Sequence, residues 1–124
     1  MADQGIFQEA DVIFSYTREQ AIADGAFIDV TESAQTVGAR FDVAITAAGI
    51  WADVVQKDSL RLDHFLMAVF QDMRNREFTG GLETEFKFTF RRADGVLVTE
   101  NIWYAGEANQ DGTPAVNIFL PSEY

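Results

Sequence analysis

The side chains of this chain that could do chemistry are mostly carboxylates: twenty Asp and Glu stand against nine Lys and Arg, one His and no Cys. Without thiols there is no Cys nucleophile, no disulfide framework and no Cys-based zinc site. The single His64 puts multi-His metal centres out of reach within one chain. It stands beside an apolar stripe with no nucleophile spaced to meet it, so a solvated or hydrogen-bonded role is expected for it over that of a general base. Glu83 and Glu85 share one face of an alternating segment, about 7 Å apart by strand rise, a separation that would suit glycoside hydrolysis. No aromatic sugar platform can be placed beside them, and two acids on the polar side of a strand are what solubility produces. The run Glu107-Ala108-Asn109-Gln110-Asp111-Gly112 resembles a calcium loop in its first half. Its twelfth position, however, is Ile118 where a bidentate Glu is required, so a plain Gly-containing hairpin loop is expected. Phosphate-cradling glycine motifs are absent. No catalytic residue, metal or cofactor is assigned, and no enzymatic activity has a positive signature.

The distribution of charge says more than any single carboxylate. The formal net charge is -11, which repels phosphate backbones and anionic membranes and disfavours direct nucleic-acid binding. Residues 1–35 carry -6, residues 36–80 carry -1 and residues 81–124 carry -4. The only basic concentration, Arg74, Arg76, Arg91 and Arg92, is expected to pair with neighbouring acids and not to bind nucleic acid. If the two acidic ends meet in space, Asp24, Asp29, Glu32, Glu83 and Glu85 form one negative face, suited to a protein partner with a basic surface.

These groups need a scaffold. With 124 residues, 48% of them hydrophobic and eleven of them Phe, the chain suits one domain over residues 1–124 with a single core. The start lacks a basic segment followed by an apolar run, and no stretch approaches the roughly 18 apolar residues that span a bilayer, so a soluble cytoplasmic protein is expected. Val12 to Tyr16 is apolar and leads into Thr17-Arg18-Glu19-Gln20, a capping box that begins a short helix closed by Asp24-Gly25. Phe27 to Val30 reads as a brief extended piece. Thr31 is expected to N-cap a second short helix through Val37. Phe41 to Ile45 is a strand or a buried approach segment, and periodicity does not separate the two. Thr46 is a third N-cap candidate, for a helix carrying Ala47, Ile50, Trp51, Val54 and Val55 on one stripe.

The strongest periodic signal is Leu62, Phe65, Leu66, Val69, Phe70 and Met73, one apolar face of an amphipathic helix. Its opposite face carries Arg61, Asp63, Gln71, Asp72, Arg74 and Arg76. At Gly80-Gly81 the period changes. Phe86, Phe88 and Phe90 then alternate with Glu85, Lys87, Thr89 and Arg91 along a half-buried strand. Asp94-Gly95 turns into a returning strand from Val96 to Gly106, expected to be irregular near Asn101, and Val116 to Leu120 forms a third. The expected architecture is α+β: N-terminal short helices plus one amphipathic helix packed on a three-stranded antiparallel meander. The Phe face of the first long strand should meet the Leu62 to Met73 stripe.

Phe14 to Ala34 (FSYTREQAIADGAFIDVTESA) and Asn117 to Tyr124 (NIFLPSEY) resemble DUF6573, a family of small uncharacterised proteins met on plasmids and phages, and FDVAIT with Trp51 is similar to its central segment. The chain departs from the family in the middle: LDHFLMAVF stands where a Trp-rich helix is usual, and ETEFKFTF is distinctive. The resemblance implies no catalytic residues. It implies a mobile-element context, hence an anti-CRISPR or antirestriction protein binding a CRISPR or restriction complex through the acidic face, as a DNA mimic would. The alternative is a small-ligand-binding or enzymatic domain with a cleft between the sheet and the Trp51 helix, lined by Tyr16, Trp103 and Tyr104. A third reading is a homodimer, paired through an open edge at Val116 to Leu120.

Overall fold

The computed structural model describes residues 17–78 and 80–123. The Thr17 capping box forms as its residue types dictate: the Thr17 hydroxyl accepts from the Gln20 amide at 3.0 Å and the Gln20 side chain accepts from the Thr17 amide at 2.8 Å. Helix α1 follows, Arg18–Ala23, and then strand β1, Phe27–Asp29. Helix α2 spans Thr31–Thr36, but Val30 is its N-cap, not Thr31. The Thr31 hydroxyl is engaged elsewhere, donating to Asp29 at 2.6 Å and accepting from the Val43 amide at 3.0 Å, and so ties β1 to the next strand.

That strand, β2, is Asp42–Thr46, which resolves the ambiguity of the FDVAI segment in favour of extended structure. Thr46 does cap the following helix, accepting from the Ile50 amide at 3.1 Å. The helix, Ala47–Val54, is a π-helix; the Val55 amide reaches back five residues to the Ile50 carbonyl at 2.9 Å. Helix α3, Ser59–Arg76, is capped by Asp58, and its six stripe residues are all buried. At about 1.5–3 kcal/mol for each large apolar side chain, this face is the main stabilising surface of the helix. Strand β3 is Thr84–Arg91, β4 is Leu97–Ala108 and β5 is Pro114–Phe119.

The fold is α+β, as expected, but the expected three-stranded antiparallel meander is not the whole sheet. Five strands form one mixed sheet in the order β1-β2-β5-β4-β3. β3, β4 and β5 pair antiparallel, while β5 also pairs with β2 in parallel and β2 pairs antiparallel with β1. The difference has a physical cause: β1 and β2 are three and five residues long, too short for two-residue alternation to assign these extended segments to the sheet. β5 is therefore central, which overturns the expectation of an open edge at Val116 to Leu120. β4 is also regular through Asn101, which pairs with Lys87 in register.

One row across the sheet, Ile28, Ile45, Ile118, Tyr104 and Thr84, faces α3 and the core. The expected meeting of Phe face and helix stripe occurs there, with Phe65 and Phe88 edge to face at 5.1 Å between centroids. Fully buried Tyr104 donates its hydroxyl to Asp72 at 2.6 Å. Burial, and then the adjacent Asp72 carboxylate, raises the Tyr104 pKa well above the ordinary phenol range. A raised folded-state pKa contributes stability that is complete below the unfolded value, about 10, and fades as pH climbs toward the folded one. Denaturation midpoints are therefore expected to fall as pH rises past about 10, and Tyr104→Phe should flatten that fall while costing about 1 kcal/mol at neutral pH. A pH profile identical in the two proteins would remove this account.

Candidate functional site

The structure places the five sequence-nominated acids on two edges instead of one face. Asp24 is the C-cap of α1, Asp29 ends β1 and Glu32 lies in the first turn of α2, all at the β1 edge. Glu83 directly precedes β3 and Glu85 lies on it, at the opposite edge. Four strand spacings, about 19 Å, separate the two edges. The expected joining of Glu83 and Glu85 to Asp24, Asp29 and Glu32 is therefore corrected by topology: β2, β5 and β4 lie between β1 and β3. Glu85 instead accepts from the Trp103 indole at 2.6 Å.

A different convergence takes its place at the β1 edge. Asp29 joins three carboxylates that were not nominated, Glu19, Asp42 and Asp111, in lining a shallow cavity of about 490 Å3 whose wall also contains the Arg18 cation. α1 supplies Glu19, β2 supplies Asp42 and the β4–β5 turn supplies Asp111. That turn is the plain hairpin loop expected from sequence: the Asn109 amide donates to the Thr113 carbonyl at 2.8 Å. Asp111 accepts from the Thr113 hydroxyl at 2.6 Å and from its amide at 3.0 Å, and these bonds hold its pKa below the usual carboxylate value. Glu19 accepts from the Gln110 amide at 3.1 Å, which docks α1 on the turn. Among the described residues no group of three or more His, Asp or Glu has metal-binding geometry.

Beneath this edge runs a polar network on the sheet face opposite α3. The row Asp29, Ala44, Asn117 and Ala105 lies on that face. Asn117 is 6% exposed and receives the Arg18 Nε at 2.9 Å, while Arg18 Nη1 donates to the Asn109 side chain at 2.9 Å. Each amide is backed by a carboxylate: Asn109 donates to Asp42 at 2.8 Å, and Asn117 donates to Glu107. Arg18 is 5% exposed and its third nitrogen, Nη2, is buried without a hydrogen-bond partner. Arg18, Asn117 and Glu107 line a second cavity, of about 530 Å3, together with Thr46 and Glu123. Glu123 reaches it from the turn Pro121–Glu123 and accepts from the Thr46 hydroxyl at 2.8 Å and the Gly49 amide at 3.0 Å. A Cβ at Gly49 would overlap that carboxylate, so a larger residue there would displace the Glu123 side chain.

Sequence reasoning missed Arg18, Asn109, Asn117 and Glu123. Arg18 follows a helix cap and reads as a surface cation. The one available signal was Asn117, a carboxamide inside the apolar run Val116 to Leu120, since an amide in a central strand must find buried partners.

The cleft proposed from sequence does not form with its proposed lining. Tyr16 lies outside the described residues. Tyr104 faces α3 while Trp103, its chain neighbour, points to the opposite face, against Phe119 at 6.2 Å. A cavity of about 730 Å3 does open between the sheet and the C-terminal part of α3, lined by Phe41, Phe70, Met73, Phe78 and Val116. Gly106 allows the Gly80-Gly81 backbone to cross there, since a Cβ would stand 2.8 Å from Gly80 Cα. His64 is exposed on α3. The arginine concentration is largely engaged: Arg76 pairs with Asp72 and Arg92 with Asp94, each at 2.7 Å, and Arg91 donates to the Gly95 carbonyl at 2.6 Å. No helix among the described residues is long and apolar enough to cross a membrane. No protein-family model, no curated protein and no solved structure matches this chain.

Proposed function

We propose that this protein is an anti-defence factor of mobile elements, an anti-CRISPR or antirestriction protein, that binds a basic surface of a defence complex through its acidic β1 edge. The observation that carries this reading is that Glu19, Asp29, Asp42 and Asp111 line one cavity, with Arg18 as the cation in the same lining. Four carboxylates against one largely buried cation leave a net negative field in a concave surface, a form that steers an Arg- or Lys-rich partner. The mobile-element context rests on the likeness of Phe14 to Ala34 to DUF6573, a segment that includes Glu19 and Asp29 of this cavity. Glu83 and Glu85 form a separate negative surface at the far edge.

Expression in a strain with active CRISPR or restriction immunity is expected to raise phage plaque counts. Charge reversal at Asp29→Lys with Glu32→Lys should slow complex formation at low salt by at least about tenfold and flatten its salt dependence. The matched pair Glu83→Lys with Glu85→Lys should have a smaller effect. Unchanged immunity against every system tried would remove the anti-defence reading, and equal effects of the two pairs would remove the β1 edge as its surface.

A further inference from the structure

We infer that the β3 edge of the sheet is an interface with a second copy of this chain, the two β3 strands pairing antiparallel about a two-fold axis at Phe88. β3 is the last strand of the sheet, eight residues long and paired on one side only, with β4. The Arg92 amide donates to the Val96 carbonyl across the hairpin. By the alternation of an antiparallel ladder, the even positions of β3 then bond to β4, and the odd ones turn their N–H and C=O groups outward. The outward carbonyls at the two ends accept side chains of the same molecule: Glu85 from Arg76 at 2.9 Å, and Arg91 from Gln56 at 3.0 Å and Arg61 at 2.6 Å. Between them, the outward amides and carbonyls of Lys87 and Thr89 meet no hydrogen-bond partner among the described residues. Such a row is a template for another strand. Apolar surface is left beside it. Phe86, Phe88 and Phe90 are only half-buried although they pack on the core. Leu82 before the strand, and Val96 and Leu97 beyond its hairpin, are 83%, 50% and 59% exposed.

Charge selects the register. Outward groups bond only when odd positions meet odd positions, and moving the two-fold by one residue changes every pair. Centred on Phe88, Glu85 stands opposite Arg91 of the second copy at both ends of the seam, and Lys87 stands opposite Thr89. Centred on Lys87, that lysine faces itself, and centred on Thr89, Lys87 faces Arg91; like charges directly opposite destabilise a sheet. Lys87 is in any case turned back to Asn101, donating at 3.0 Å. Glu85 Oε1 takes the Trp103 indole and Arg91 Nη1 the Gly95 carbonyl, which leaves Oε2 and Nη2 for the pair. The end carbonyls keep a second lone pair for the partner's amides. The same register sets Phe88 against its counterpart and Phe86 against Phe90 of the second copy, as aromatic cross-strand pairs. It also brings Leu82 beside the second copy's hairpin. Both acidic β1 edges remain at the far ends of the joined sheet, so the inference stands apart from the anti-defence reading.

Size exclusion with light scattering on the full chain, loaded between about 1 and 100 µM, is expected to show a reversible monomer–dimer equilibrium. Glu85→Arg or Arg91→Glu alone sets like charges opposite each other at both ends and should weaken dimerisation about tenfold. Combining the two restores opposite charges in reversed order and should return dimerisation to within about threefold of the natural chain. Thr89→Pro removes an outward amide while leaving the β4 ladder bonds in place, and should abolish dimerisation with an unchanged circular dichroism spectrum. A monomer over the whole range, dimerisation untouched by either single reversal, or a double variant no better than the singles would each overturn the inference.

Discussion

Replacing Phe65 with alanine is expected to lower the unfolding free energy by about 3–5 kcal/mol, the range for a large aromatic removed from a closed core. Phe65 is fully buried on the α3 stripe and meets Phe88 of β3 edge to face. It therefore joins the longest helix to the strand farthest from β1. The backbone on either side is held by regular helix and sheet bonds, so the space cannot collapse cheaply. Urea unfolding should show a lower midpoint with an unchanged slope. Phe88→Ala should cost less, because Phe88 is only half-buried. The double variant should cost less than the two single losses together, since the aromatic pair is removed only once. A Phe65→Ala loss below about 1.5 kcal/mol would contradict the assignment of this face as the core.

Asn117→Ala should produce the second largest effect, about 2–3 kcal/mol, although it removes only a small polar group. The loss comes from what remains: Arg18 keeps one of its three guanidinium nitrogens bonded, and Glu107 loses its donor. A buried cation stripped of partners is more costly than the removal of charge and partner together. Arg18→Met combined with Asn117→Leu is accordingly expected to be more stable than Asn117→Ala alone. Chemical denaturation of these variants decides the matter. A double variant no better than the single one would show that the Arg18 network contributes little.

Legibility from sequence followed the range of each interaction. The α3 stripe was readable because six apolar residues repeat at helical spacing within one element, and all six are buried. The Thr17 capping box was readable because its bonds span three residues. The Phe side of β3 was readable because its alternation persists over eight residues. Thr31 was misread as a cap because its hydroxyl is claimed by Val43, twelve positions away. The five acids were expected on one face, but the edge that each part of the chain occupies follows from strand order, which no local pattern carries.

The amino-acid sequence by itself determined the helices, the long strands, the apolar faces and the strongly negative charge, since propensity, period and composition are local or additive properties. Tertiary structure alone decided that β5 lies at the centre of the sheet, that Asp29 and Asp111 line one cavity, and that Arg18 is buried between two amides 91 and 99 residues away. Those outcomes depend on strand pairing between distant segments. Short polar residues such as Asn109 and Asn117 carry no periodic signal of the partner that pairing will bring to them.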